Sequence, residues 1–201
     1  MKKNQKVFGI GFHKTGTSSL GEALRQLGYS PIANYTPELL PHIKSSNWQA
    51  IQNFCQSYQA FEDNPWPLLY RELDEMFPDS KFVLTIRPHD QWLNSVIKHF
   101  SDSNTEMREW IYGKGYGTPN EDIKQIYIDR YNNHNKEVLS YFDNRPDDLA
   151  VLDWSQGSGW PELCRVLNCS VPKRPFPHTN QAKQRNILGR FEVKLRSLIS
   201  T

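Results

Sequence analysis

The stretch GFHKTGTSSL, residues 11–20, decides the fold. Phosphate-binding loops of nucleotide hydrolases read G-x-x-x-x-G-K-[ST] between a strand and a helix. Gly11 and Gly16 keep that separation, and Ser18 fills the hydroxyl slot. Thr17 stands where the lysine belongs, and a lysine appears earlier, as Lys14. The flanks fit the pattern. VFGIG (7–11) reads as a short buried strand, and Leu20, Ala23, Leu24 and Leu27 recur at helical spacing until Gly28 closes the helix. A loop that runs into a helix presents unpaired backbone N–H groups and the positive end of the helix dipole. Its glycines let the backbone curl around an anion. Thr15, Thr17 and Ser18 add hydroxyl donors, and Lys14 adds a full charge. An ordinary strand-to-helix turn is the plainer reading, but it leaves the coincidence of lysine, glycines and hydroxyls unexplained.

The displaced lysine narrows the ligand. In a nucleotide hydrolase the lysine after the second glycine reaches the β- and γ-phosphates, and magnesium is held by the next hydroxyl and a later carboxylate. The best later strand here, KFVLTIR (81–87), ends in Arg87. LAVLDW (149–154) offers Asp153, so a metal site stays open, yet the main strand meets its ligand with positive charge. The continuous apolar run of 81–86 suits a central parallel strand covered on both faces. Arg87 then lies at the carboxyl edge of the sheet, where open α/β sheets bind ligands. Ser95 follows eight residues later, about two turns into a helix over 89–100. The two side chains are placed to converge on one phosphate. Taken singly, Arg87 reads equally as a surface salt bridge and Ser95 as a helix-surface hydroxyl.

The rest of the chain supports one α/β domain over residues 1–201, with a mainly parallel sheet flanked by helices. QAFED (59–63) is a weak strand and DLAVLDW (148–154) a buried one. Helices are expected over 48–58, 66–77, 120–142, 158–168 and 187–199, the fourth with Pro161 near its first turn. GKGYGTP (113–119) is a glycine-rich loop without a preceding apolar strand, and VPKRPFPH (171–178) is extended. A net charge of +2 gives no general polyanion-binding surface, so no nucleic-acid partner is expected. Cys55, Cys164 and Cys169 lack metal-ligand spacing and suit a reducing compartment. No apolar stretch reaches the ~18 residues of a membrane span. The basic, then apolar start runs into the glycine loop without a cleavage site, so a cytoplasmic location is expected.

KTGTSSL after a first strand, with FVLTIRPHDQWLNSV later, resembles the sulfotransferases that use 3′-phosphoadenosine 5′-phosphosulfate (PAPS). DNPWPLLYRELDEMFPDSKFVLTIR and LDWSQGSGWPELCRVLNCSVPKRPFPHTN are similar to a subgroup of short soluble members, so the resemblance extends over most of the chain. It implies a P-loop nucleotide-hydrolase-like sulfotransferase fold. It also implies that Lys14, Thr15, Gly16, Thr17 and Ser18 hold the 5′-phosphosulfate, and that Arg87 and Ser95 hold the 3′-phosphate. PAPS has no β–γ phosphate chain to grip. Lys14 at the loop's mouth is then placed to neutralise charge on the bridging oxygen as the bond to sulfur breaks, and no metal is expected.

Sulfuryl transfer to a hydroxyl or amine needs a general base. In related sulfotransferases a carboxylate near the end of the second strand serves. Asp63, with Glu62 beside it, is the corresponding candidate, and its DNP matches the subgroup's Asp-x-Pro. Asp63 reads equally as the cap of the helix starting near Trp66. His99, four residues beyond Ser95, is the second candidate, against its reading as an ordinary helix histidine. His13 beside Lys14 has no assigned role. PHTNQAKQRN (177–186) loosely matches the loop that covers the 3′-phosphate in the family, and reads more plainly as solvated surface. Most of the six tryptophans belong to the core, with one available to stack on adenine. The acceptor, whether small molecule, sugar, lipid or peptide, is not specified. The competing readings are a phosphotransferase using ATP and magnesium, and a non-catalytic nucleotide-binding protein of the same fold.

Overall fold

A computed structural model of the chain describes residues 5–100, 104–113 and 121–179. Its centre is β4 (Lys81–Ile86), whose four inner residues are all buried. β4 lies between β1 (Val7–Gly9) and β5 (Leu149–Asp153), and pairs in parallel with both. β3 (Ala60–Phe61) follows on the other side of β1, and β2 (Ile32–Ala33) forms the edge, giving the order β2-β3-β1-β4-β5. Every pairing is parallel, as expected for strands joined by helical crossovers. The chain leaves β1 towards one edge and returns past it to β4. This reversal of strand order is where ligands bind in such sheets, outside the strands' carboxyl ends.

Alternation along the strands sorts the core into two layers. Phe8, Phe61, Phe82 and Leu84 point to one face, under α3 (Trp48–Gln56), α4 (Tyr70–Met76) and α7 (Glu121–Tyr141). Val7, Ala60, Val83, Ala150 and Leu152 point to the other, under α1 (Thr17–Gln26) and α8 (Trp160–Leu167). A third cluster, rich in aromatic rings, joins Phe12 to α5 (His89–Phe100), α6 (Glu106–Tyr112) and α7. Among the described residues no helix is long and apolar enough to cross a membrane. All three cysteines are free, and burial pushes the Cys55 thiol up to about 12.

Several local expectations change. The helix expected over 66–77 divides into a 3-10 turn, Trp66–Leu69, and α4. Pro67 supplies no N–H for an α-helical ladder there, and the Trp66 indole donates to the Asn34 carbonyl at 3.1 Å. β2, the short α2 (Leu40–Lys44) and α6 were not foreseen. Two strand residues and two helices of five and seven residues are too short for a periodic signal. The helix expected over 187–199, the loop from 114 to 119 and residues 180–186 of the late basic segment lie outside the described residues.

Candidate active site

The loop after β1 is shaped from two sides. On one side it presses against β4. The Ile10 N–H donates to the Val83 carbonyl at 2.8 Å, and any side chain on Gly11 would overlap Thr85. The Thr15 hydroxyl donates to the Phe12 carbonyl at 2.5 Å and lies 2.6 Å from the Thr85 hydroxyl, while the Thr15 N–H also reaches Phe12. On the other side the Trp154 indole donates to the Thr15 carbonyl at 2.7 Å and fills the space a Gly16 side chain would need. Between these anchors the backbone turns left-handed at Lys14 (φ 66°) and Gly16 (φ 100°). Both donors of Thr15 are engaged with Phe12 and Thr85, so Thr15 shapes the loop. Lys14, Thr17 and Ser18 line the cavity beside the first N–H groups of α1.

The loop is one wall of a cavity of about 700 Å³. Lys14, Thr15, Gly16, Thr17, Ser18, Asp63, Arg87, Ser95 and His99, scattered over 86 positions, all line it. Gln91, Ser95 and His99 recur every four residues and present one stripe of α5 to it. Arg87 sits where β4 ends. Its N–H and carbonyl are both held by the Tyr131 hydroxyl at 2.8 Å, and its Nε donates to Gln91 at 3.4 Å. Among the described residues it has no carboxylate partner, so the surface salt bridge is not what the fold makes of it.

Asp63 follows β3 with φ 67° and lines the cavity half-buried. Its Oδ1 accepts the next N–H, that of Asn64, at 2.7 Å. The 3-10 turn at Trp66 has no side-chain cap, so Asp63 is not the helix cap. Burial raises its pKa, against the Asn64 N–H and the Lys14 charge, which lower it. His99 lies exposed on the rim. His13 is buried at 4% exposure, its Nδ1 3.1 Å from the Asn64 amide nitrogen and its Nε2 2.9 Å from the Tyr112 hydroxyl. The amide donates to Nδ1, so the imidazole hydrogen sits on Nε2 and points at Tyr112. Burial holds the His13 pKa down to about 3, which makes it a neutral strut and no proton carrier near neutral pH.

Other residues carry no sequence signal of comparable strength. Arg108 of α6 is 3% exposed and lines the cavity, its guanidinium 4.4 Å from the Phe100 ring centre and its Nη2 donating to the Tyr127 hydroxyl at 2.8 Å. An arginine in a seven-residue helix reads as solvated until the fold encloses it. Trp154 was legible only through its place after a buried strand. Asp153 accepts from the Ser155 N–H at 2.9 Å and the Ser155 hydroxyl at 2.6 Å, which caps the turn Trp154–Gln156. His178 and Thr179 also line the cavity, and the Thr179 N–H donates to the Ser19 hydroxyl at 3.1 Å. Among the described residues no group of three or more His, Cys, Asp or Glu side chains is arranged to hold a metal ion.

Comparison with known proteins bears on this arrangement. The solved structure of a gluconokinase from Sinorhizobium meliloti 1021 is similar over 71% of this chain and 99% of its own, with a TM-score of 0.35 and 14% identity, a likeness too loose to carry an argument. The Ava biosynthesis cluster protein M of Aspergillus versicolor is 24% identical over 211 aligned residues, covering 86% of this chain and 80% of that protein. A family model described as a sulfotransferase domain matches residues 6–185, which takes in the glycine loop, the strand ending at Arg87 and the α5 stripe, and the chain belongs to that family.

Proposed function

We propose that the chain transfers a sulfuryl group from PAPS to a hydroxyl or amine of an acceptor. The observation that carries this reading is the meeting of Lys14, Arg87 and Ser95 on one cavity in a chain of the sulfotransferase family. PAPS ends in a phosphosulfate and carries a separate 3′-phosphate, so it needs two anion subsites. The loop and α1 N-terminus provide one, and Arg87 with Ser95 provides the other. In the reaction the acceptor's oxygen or nitrogen forms a bond to sulfur. The bond from sulfur to the bridging oxygen breaks, and 3′-phosphoadenosine 5′-phosphate leaves. Lys14 neutralises the negative charge that appears on that oxygen. Asp63 takes the acceptor's proton, and its raised pKa makes it a stronger base than an exposed carboxylate. His99 on the rim is the alternative base. The free cysteines agree with a reducing, cytoplasmic setting.

Calorimetric binding of 3′-phosphoadenosine 5′-phosphate, beside AMP and beside ATP with magnesium, tests the reading. We expect the bisphosphate to bind without metal, and to lose about tenfold or more in affinity in Arg87→Ala. A preference for ATP with magnesium, or indifference to the 3′-phosphate, would sink it. With an acceptor in hand, Asp63→Asn should slow turnover about 10²- to 10⁴-fold and leave nucleotide affinity within a few-fold. Binding without turnover for every acceptor class offered would mark a non-catalytic member of the fold.

A further inference from the structure

Lys14 and Asp63, a cation and a carboxylate of the cavity wall, stand on matching turns. Lys14 has φ 66° and Asp63 φ 67°, a left-handed backbone that residues other than glycine seldom adopt. Of the four such residues among the described ones, only these two line the cavity. Such turns persist where their surroundings hold them. Here the neighbours in the chain, His13 and Asn64, do the holding, and both are buried. The Asn64 amide donates to His13 Nδ1 at 3.1 Å, and it has no second hydrogen-bond partner among the described residues. His13 is fixed at two further points. Its carbonyl accepts from the Trp92 indole at 2.9 Å, and its Nε2 lies 2.9 Å from the Tyr112 hydroxyl. Phe100 meets the imidazole edge-on at 5.0 Å. Asn64 is fixed through its backbone, its N–H donating to Asp63 Oδ1 at 2.7 Å and its carbonyl accepting the Thr36 N–H at 3.0 Å. One side-chain hydrogen bond, spanning 51 positions of sequence, thus ties the glycine loop to the chain leaving β3.

We propose that His13 is a positioning residue for sulfuryl transfer: through Asn64 it fixes where the Asp63 carboxylate stands relative to Lys14. This rests on the reading of Asp63 as the base and of Lys14 as the cation at the leaving oxygen. Those two roles need a set separation. The acceptor atom approaches sulfur from one side while the bridging oxygen departs on the other, so base and cation must be in place at the same moment. The tie is one residue away from each of them, and it joins two uncharged side chains, so it leaves both charges free for the reaction. Two further points support the assignment. Burial holds the His13 pKa down to about 3, so the tie persists unchanged near neutral pH. The Lys14 charge also acts on Asp63, lowering a pKa that burial raises, which puts the two groups within electrostatic reach of one another.

The test takes water as the acceptor. Its oxygen bonds to sulfur, the bond to the bridging oxygen breaks, Asp63 takes the proton, and sulfate and 3′-phosphoadenosine 5′-phosphate leave. His13→Asn and His13→Gln both keep a neutral amide in the bracket, but only asparagine is short enough to put an acceptor oxygen where Nδ1 stands. PAPS hydrolysis should stay within about threefold of wild type in His13→Asn and fall about 10- to 100-fold in His13→Gln. Affinity for 3′-phosphoadenosine 5′-phosphate should stay within about threefold in both, because the loop is left intact. In an Asp63→Asn background, His13→Gln should change the rate by less than about twofold, since its route to the chemistry is gone. Equal rates in the two His13 variants, or a loss that persists undiminished without Asp63, would overturn the inference. Asn64→Leu severs the same hydrogen bond from the other side and takes the place of His13→Gln if that variant fails to fold. Carboxyl-carbon NMR decides the matter if hydrolysis by the wild type is too slow to follow. The groups acting on Asp63 are Lys14 from the loop, Tyr35 after β2, Tyr112 of α6 and its chain neighbour Glu62. The Asp63 resonance, identified by its loss in Asp63→Asn, should titrate at higher pH in His13→Gln than in wild type, as Lys14 loses its place beside it. Coincident titrations would overturn the proposal. A hydrolysis rate untouched by Asp63→Asn would instead remove the base reading, and failure of the nucleotide to bind would remove the nucleotide reading, each with this inference.

Discussion

The packing behind α1 and α8 differs in kind from the packing around α5, α6 and α7. Leu20, Leu24, Val83, Leu152 and Leu163 meet on the first side, without a polar side-chain atom among them. The second side is built from Phe12, Trp92, Tyr112, Tyr127 and Tyr131, with Trp92 stacked on Tyr131 at 4.2 Å and Tyr112 on Tyr127 at 3.9 Å. Its polar tips are addressed to the backbone of the site. The Trp92 indole donates to the His13 carbonyl, the Tyr131 hydroxyl to the Arg87 carbonyl, and His134 Nε2 to the Ile10 carbonyl at 2.7 Å. The first region holds a sheet together by excluding water. The second fixes where three cavity-forming segments lie, because a buried hydrogen bond specifies position in a way apolar contact does not.

Substitutions should separate the two regions. The largest effect is expected from Leu24→Ala in the aliphatic layer, about 2–5 kcal/mol of stability in denaturant titration. Nucleotide affinity of the folded fraction should hardly change, and a loss above about tenfold would blur the distinction. Lys14→Ala should do the reverse, lowering turnover about 10²- to 10³-fold, near 3–4 kcal/mol, with the melting temperature within a few degrees of wild type. The third test uses pH. His13 and His134 are held neutral by burial, at about 3 and about 4, against about 6.5 in the unfolded chain. Below pH 6.5 the unfolded chain binds protons that the folded one refuses, so this stability is complete above 6.5 and drains as pH falls towards 3. The stability advantage of wild type over His13→Gln should therefore shrink by about 1.4 kcal/mol per pH unit across that window. A constant difference would mean that His13 is protonated in the folded state. The smallest effect is expected from Ser95→Ala, about threefold to tenfold in affinity for a 3′-phosphorylated nucleotide and none for AMP.

What was legible in the sequence was chain-local. The apolar run of β4 and the glycine spacing of the loop are contiguous, and they placed the sheet, the cavity edge and Lys14 together. Ser95 and His99 followed from helical spacing after Arg87. What was not legible depends on partners far along the chain. Nothing near Thr15 says that its hydroxyl is taken by Phe12 and Thr85, 70 positions away, or that Trp154 covers Gly16. His13 has no assigned role in the sequence, and only its enclosure by Asn64 and Tyr112 shows it to be a buried strut. Glu62 and Asp63 are neighbours in sequence, yet where the chain leaves β3 one packs against α1 at Gly21 and the other, its backbone turned left-handed at φ 67°, lines the cavity.

Trp154 is the one tryptophan of the six that lines the cavity, half-buried and tied by its indole N–H to the loop that turns around Gly16. An anion settling into that loop changes the field across this ring. The protein thus carries an intrinsic optical reporter at the mouth of the cavity, whose emission should respond to whatever fills the loop, without a label and against a background of five tryptophans lying elsewhere in the fold.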